Sequence, residues 1–155
     1  MDFRLLEKPY TAIWKRVLLA RMVALVWVVF FLNFVAVKLF LYSLVWWFDM
    51  PMHFLGGMFL AILSVWLCLR SALSAEIRKH GYFLLIIGFS VLCIGIFWEL
   101  FELGTNIFIT FDRINIRDTA SDLFFDLSGG MIGIAYALRK MPRPAVFVEN
   151  KNTAV

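Results

Sequence analysis

Residues 82–104 read YFLLIIGFSVLCIGIFWELFELG, and this stretch decides the class of the fold. A membrane-spanning helix needs about 20 mostly apolar residues, and no charged residue occurs here before Glu99. Three further stretches have a comparable length and are largely apolar, at about 17–37, 49–69 and 118–138. None of the four has the alternating polar and apolar pattern of a membrane β-barrel strand. The sequence therefore predicts an all-α integral membrane protein with four transmembrane helices.

The composition leads to the same class. Of the 155 residues, 63% are hydrophobic and 17% are charged, whereas a soluble domain is about half apolar and about a quarter charged. This excludes a disordered chain, a disulfide scaffold and an ordinary water-soluble enzyme. The net charge of +4 is interpreted as Lys and Arg in cytoplasmic loops, and no nucleic acid is expected as a partner. We expect one membrane domain over 1–155.

The distribution of basic residues predicts the orientation. Lys and Arg are concentrated before the first span, between the second and third spans, and after the fourth. Because basic loops stay in the cytoplasm, we expect both termini on the cytoplasmic side of the membrane, which is expected to be a bacterial-type inner membrane. Residues 139–155 are expected to form a basic, flexible cytoplasmic tail. Residues 3–16 are expected to form a short interfacial segment. Residues 38–48 are too short to cross, so they extend the first helix, lie on the interface or re-enter the membrane.

Ionisable side chains recur at helical spacings inside the predicted spans, where they are costly and mark functional sites. Residues spaced by three or four share one face of a helix. From the order of the spans, all of these groups fall in one layer near the extracytoplasmic end. Small residues on the same faces allow close helix packing, so the acids are expected to point into the bundle. The layer comprises Asp49, His53, Glu99, Glu102, Asp118, Asp122 and Asp126.

This layer predicts a divalent metal site. Six crowded carboxylates cannot all stay ionised unless cations neutralise them, and the alternative is that several are protonated. Carboxylate oxygens favour Mg²⁺, Ca²⁺ or Mn²⁺, and one imidazole extends the choice towards Zn²⁺ or Fe²⁺. All seven residues are candidate ligands, and no other cofactor is predicted. His53 and Glu99 are also candidates for general acid or base, and Arg113 and Arg117 for binding substrate phosphate.

Simpler interpretations exist for some members of the layer. Asp49 and Asp118 are natural helix N-cap residues, and capping is compatible with metal ligation. Glu99 and Glu102 are also consistent with a helix end that faces the interface. Asp122 and Asp126 are harder to explain without a site, because helix interiors in lipid rarely carry two unpaired acids.

Three short segments resemble those of small bacterial inner-membrane proteins of the YjdF-like group, and more loosely those of VanZ-like proteins. They are DMPMHFLG at 49–56, WELFE at 98–102 and DTASDLFFDLSG at 118–129, within about 45–135. The resemblance implies a multi-pass fold and assigns no reaction. VanZ-like proteins are associated with tolerance to glycopeptides that act on the outer membrane face, which fits the predicted location of the site. Matching positions are Asp49, His53, Glu99, Glu102, Asp118, Thr119 and Asp122, whereas Asp126 departs from the pattern.

Three functions are compatible with these observations, and the sequence leaves open whether the protein is an enzyme. The first is a metal-dependent enzyme acting on a lipid or lipid-linked phosphate. The second is cation or proton transport, with Asn33, Ser64 and Ser90 as polar steps towards the cytoplasm. The third is a non-catalytic membrane subunit or assembly factor with a structural polar or metal-stapled core. Membrane lipids are the expected partners, and a homo-oligomer or a larger membrane complex is an open alternative.

Overall fold

The computed structural model describes residues 4–70, 82–105 and 115–140, and within these ranges all regular structure is helical. The predicted all-helical fold is therefore confirmed for this part of the chain. The tail from residue 141 lies outside the described residues. The helices are α1 (Arg4–Lys38), α2 (Leu41–Leu44), α3 (Asp49–Arg70), α4 (Phe83–Thr105) and α5 (Ile116–Lys140).

Among the residues that the structure describes, three helices, not four, are long and apolar enough to cross a membrane. The segments that qualify are Ile13–Lys38, Asp49–Cys68 and Phe83–Thr105. The predicted fourth span at 118–138 does form a helix, α5, but that helix is not among them. The physical reason is its composition, because three aspartates interrupt the apolar run. The prediction of a fourth apolar span is corrected accordingly.

The N-terminal region is continuous with the first candidate span. Residues 3–16 are expected to form a short interfacial segment that leads into this span, and α1 runs from Arg4 to Lys38 without a break. The interfacial position of the segment stays a prediction. Of the alternatives for residues 38–48, a simple extension of α1 is excluded. The chain leaves the helical conformation at Phe40, whose φ is 55°, and then forms the short helix α2. The Tyr42 hydroxyl donates a hydrogen bond of 2.9 Å to Asn33 Oδ1 on α1, which ties this segment to the end of α1.

The apolar core lies in the half of the bundle away from the acids. Ala61 and Val65 on α3 pack with Ile87 and Val91 on α4 and with Ala137 on α5, and all five are buried. A second cluster joins α1 to α3 and consists of Leu18, Met22 and Ile62. The buried ionisable residues therefore lie at one end of the bundle, and the apolar core lies at the other.

Close backbone packing joins α3 to α5. A Cβ atom at Gly57 would overlap the backbone carbonyl of Asp126, and one at Gly129 would overlap the carbonyl oxygen of Phe54. The two helices approach this closely because no side chain intervenes at these positions. The close helix packing expected from the small residues is thus confirmed, and it brings residues 54–57 of α3 against residues 126–129 of α5.

The outer faces of the helices are apolar. Phe89 and Phe97 on α4 are 67% and 72% exposed, and Trp27 on α1 is 53% exposed. Water-soluble monomers rarely expose contiguous apolar surface on this scale, whereas lipid solvates it. The surface therefore agrees with a membrane-embedded bundle.

Candidate functional site

The site is centred on His53, in the first turns of α3. Its side chain is buried between two carboxylates, one from its own helix and one from α5. Nδ1 lies 3.4 Å from Asp126 Oδ2, and Nε2 lies 3.8 Å from Asp49 Oδ1. Both ring nitrogens therefore face carboxylates, and the imidazole connects Asp49 of α3 with Asp126 of α5.

Two groups of potential metal ligands share this histidine. One ligand atom each from Asp49, His53 and Asp122 lie within 4.8 Å of one another, and the same is true of His53, Glu99 and Glu102. Opposite ligands of an ion with metal–oxygen bonds of about 2.3 Å are about 4.6 Å apart, so this spread is compatible with one coordination shell. The residues of the two groups come from three helices, α3, α4 and α5.

Glu99 is the most unusual member of the site. It is only 8% exposed, and its Oε1 is buried with no hydrogen-bond partner among the described residues. The Thr119 side chain at the start of α5 forms a hydrogen bond with the same carboxylate. A buried carboxylate oxygen without a donor is costly, so this atom is available to an ion or a substrate.

Glycines make room for the acids. Asp126 is 5% exposed, and its carboxylate lies over Gly95 of α4, where an added Cβ would meet Oδ2 at 2.7 Å. The backbone of Asp126 packs directly against Gly57 of α3, where an added Cβ would overlap it. Asp126 can therefore occupy the centre of three helices only because two glycines stand at the contacts, which explains locally why these residue types occur together.

The other predicted residues lie further out. Asp122 is 3% exposed and belongs to the centre, whereas Asp118 and Arg117 are exposed. Asp118 is not the N-cap residue of α5, because the helix begins at Ile116. Asp49 is the first residue of α3, so the N-cap position before it belongs to Phe48 and not to Asp49. Arg113 lies outside the described residues. The roles assigned to these side chains remain predictions.

The sequence reasoning missed Tyr42. Burial raises the pKa of its phenol, and the negative charges of Asp49 and Glu102 raise it further. Tyr42 and Asp49 line the same cavity, and the Tyr42 hydroxyl is hydrogen-bonded to Asn33 of α1. The available signal was a single tyrosine in the apolar segment 38–48, which by itself indicates only an interface anchor.

A cavity of about 480 Å³ adjoins the site between α1, α3 and α4. Asp49, His53 and Asp126 line it, together with Asn33 and Tyr42. The remaining lining is apolar apart from two glycines. The acids therefore meet a space that a molecule with a polar end and an apolar body would fit.

Comparison with known proteins places the chain in a family. Residues 9–143 match the family described as "Predicted membrane protein (DUF2238)", and the chain belongs to that family. No curated protein and no solved structure matches it. The match covers all residues of the candidate site and agrees with three helices that are apolar enough to span a membrane. The finer resemblance to YjdF-like or VanZ-like proteins stays a prediction.

Proposed function

We propose that this member of the DUF2238 membrane-protein family is a divalent-metal-dependent enzyme that acts on a lipid or lipid-linked phosphate. One observation carries the proposal: His53 belongs to two groups of ligand atoms, contributed by three helices. The buried Oε1 of Glu99 in the same cluster, which has no hydrogen-bond partner within residues 4–70, 82–105 and 115–140, supports it. A purely structural cluster would be expected to satisfy that oxygen.

The geometry suggests a division of roles. His53 is common to both groups, so we assign it as a metal ligand together with Asp49 and Asp122. The Glu99 carboxylate is hydrogen-bonded to Thr119, and its Oε1 has no partner in the part of the chain that the structure describes. This arrangement suits a general base within reach of the ion. A divalent ion held there would polarise phosphoryl oxygens and lower the pKa of attacking water.

The placement in the membrane is part of the proposal. We propose that α5 crosses together with the three apolar helices, because its acids Asp122 and Asp126 are buried against neighbouring helices and not turned towards lipid. The bundle would then cross four times, with both termini cytoplasmic and the site at the outer face of an inner membrane. Arg117, exposed in the first turn of α5, would contact the phosphate there, and Arg113 would join it.

Metal binding is the first test. Wild-type protein purified in detergent should bind Mg²⁺, Mn²⁺, Ca²⁺ or Zn²⁺ with micromolar or tighter affinity by isothermal titration and elemental analysis. His53→Ala and Asp122→Asn should weaken binding by at least about tenfold. Asp118→Asn is the matched control, since it removes an exposed carboxylate one turn away on the same helix, and it should bind nearly normally. Absence of micromolar binding in the wild type would contradict the proposal.

Activity is the second test. Phosphate release and headgroup transfer should be measured on a panel of lipid phosphates, with each metal and with EDTA. Glu99→Gln should keep its fold and its metal while losing most turnover, since it removes the proposed base without removing volume. Equal turnover in Glu99→Gln and wild type would show that Glu99 is not the base.

A non-catalytic subunit or assembly factor is the competing candidate. It is favoured by the close contact of Gly57 with the Asp126 backbone, which makes the acidic layer part of the α3–α5 packing. On this alternative, Asp122→Ala would reduce stability and partner binding together. A folded but inactive Glu99→Gln protein would contradict it.

Cation or proton transport finds less support. Ser64 and Ser90 lie 2.9 Å apart, and Ser90 also donates to the Ile87 carbonyl oxygen, so the pair is joined within the bundle. Ser64 is eleven residues after His53, about 16 Å along the helix, and the intervening α3 residues are apolar or glycine. Asn33 lines the cavity beside the acids, and not the cytoplasmic half. Liposome flux that depends on Asp122 would nevertheless favour transport.

A further inference from the structure

We propose that the cavity between α1, α3 and α4 binds one acyl chain of a membrane glycerophospholipid, whose phosphate headgroup lies against His53. This inference deepens the proposed function and rests on it, because it names the substrate class of the same site.

The cavity has the dimensions and walls of a chain-binding cleft. Its volume of about 480 Å³ falls within the range of about 300–1,000 Å³ that is usual for small-molecule sites. Val26, Val29 and Phe30 line it from α1, Phe59 and Leu60 from α3, and Ile94 from α4. Such walls provide no hydrogen-bonding partner for a polar molecule, but they suit hydrocarbon.

Polarity is confined to one end of this cleft. Along α3 the lining runs from Asp49 and His53 to Leu60, which is eleven residues from Asp49, or about 16 Å. On α1 the only polar lining residue is Asn33, and the lining residues that precede it are apolar. A ligand that matches this surface is an amphiphile lying parallel to the helices, with its charged end at His53.

The cleft is accessible from the side. Val26 and Phe30 on α1, and Ile94 and Trp98 on α4, line the cavity and are also exposed on the outer surface of the bundle. A ligand would enter between α1 and α4, through a surface that faces hydrocarbon in a membrane. Acyl chains in a bilayer already lie roughly parallel to membrane-spanning helices, so a phospholipid chain can enter the cleft without a large change of direction.

Charge defines the headgroup chemistry. Carboxylates of Asp49 and Asp126 surround the imidazole at the polar end, so a bare phosphate would be repelled. A divalent ion held by this cluster would reverse the sign of the interaction. Seating of the headgroup should therefore depend on metal, whereas the apolar walls should retain the chain without it.

Gly56 offers a direct test of the cleft. It lines the cavity, and a Cβ added there meets nothing within 4 Å, so Gly56→Leu should fill the cleft without distorting α3. Gly88→Leu is the matched control, because Gly88 also has open space around an added Cβ but does not line the cavity. Ile94→Trp fills the same cleft from α4 and serves as a second variant if Gly56→Leu does not fold.

The probe is phosphatidic acid with a photoactivatable diazirine in one acyl chain, in phosphatidylcholine nanodiscs. After illumination, cross-links should map by mass spectrometry to residues 26–33, 56–60 and 94–98. Gly56→Leu or Ile94→Trp should lower this yield by about tenfold, because the new side chain takes the volume that the acyl chain would occupy, and the usual cost of overpacking spans a tenfold change in binding. Gly88→Leu should match wild type.

The outcomes separate this inference from the proposed function. Cross-links that map elsewhere, or equal yields in Gly56→Leu and Gly88→Leu, would overturn the chain site even if the protein binds metal. Stronger competition by a polyisoprenyl phosphate than by unlabelled phosphatidic acid would overturn the choice of an acyl chain. Cross-links in the cleft that are insensitive to EDTA, in a protein that binds no metal, would leave the chain site in place and refute the metal-dependent function.

Discussion

Two adjacent glycines of α3 should respond in opposite directions to the same substitution. Alanine at Gly56 adds a methyl group to open space, whereas alanine at Gly57 places its Cβ against the carbonyl oxygen, carbonyl carbon and Cα of Asp126. Both changes remove a glycine from a helix interior, so they share the same gain in helix propensity. The difference between the two variants isolates the α3–α5 contact beside the candidate site.

The magnitude follows from these contacts. Replacing glycine by alanine within a helix contributes up to about 1 kcal/mol, and Gly56→Ala should gain most of it. Overpacking costs about 1–3 kcal/mol, and at Gly57 the obstacle is backbone, which cannot rotate away. Gly57→Ala should therefore be less stable than Gly56→Ala by about 2–3 kcal/mol, at the upper part of that range.

Thermal unfolding in detergent, followed by far-ultraviolet circular dichroism, measures this difference. For a chain of this size, 1 kcal/mol corresponds to about 2–4 °C in Tm, so the two variants should differ by roughly 5–10 °C. Metal titration on the same samples should show weaker binding in Gly57→Ala, because moving α5 away separates Asp122 from His53. A Gly57→Ala protein as stable as Gly56→Ala would refute the close packing and the geometry of the site built on it.

Three further predictions concern single interactions. Tyr42→Phe removes the hydrogen bond to Asn33 and should cost about 1 kcal/mol of unfolding free energy. Because burial and two neighbouring acids raise the pKa of Tyr42, the absorbance difference between wild type and this variant should titrate above pH 10.0, the ordinary value. The contribution of the neutral phenol to stability is present below that pH and is lost as the pH rises. Ser90→Ala should destabilise more than Ser64→Ala, by up to about 1 kcal/mol in a denaturant titration, because Ser90 takes part in two hydrogen bonds; equal effects would contradict this assignment. Metal at one hundred times its Kd should stabilise the wild type by about 2.7 kcal/mol, and an equal gain in Asp122→Asn would exclude that carboxylate as a ligand.

Several features were predictable because they depend on local sequence. Apolar length predicts α3 and α4, and helical spacing places His53 with Gly57 and Glu99 with Gly95 on shared faces. The same spacing indicates that Asp122 and Asp126 face one way on α5. These inferences need only the period of the helix, and they agree with the described structure.

Other features were not predictable in this way. The chain reversal at Phe40 depends on a left-handed residue that is not glycine, for which the sequence carries no specific signal. The contribution of Tyr42 depends on how the segment after α1 folds back over Asn33. The length of α5 suggests a fourth apolar span, but its three aspartates keep it out of the group of described helices that are apolar enough to cross a membrane. Its crossing therefore remains a proposal that depends on the burial of Asp122 and Asp126 in the bundle.

By itself, the sequence determined that the protein is helical, that at least three of its segments can enter a membrane, and that its acids recur on single helix faces. These properties follow from composition and from the 3.6-residue period, which act within one helix. Only the tertiary structure decided which acids meet at His53, which oxygen of Glu99 lacks a partner among the described residues, and that a cavity with one polar end adjoins them. Those outcomes depend on the distance and rotation between helices, which Gly57, Gly95 and Gly129 set through contacts between residues far apart in the chain.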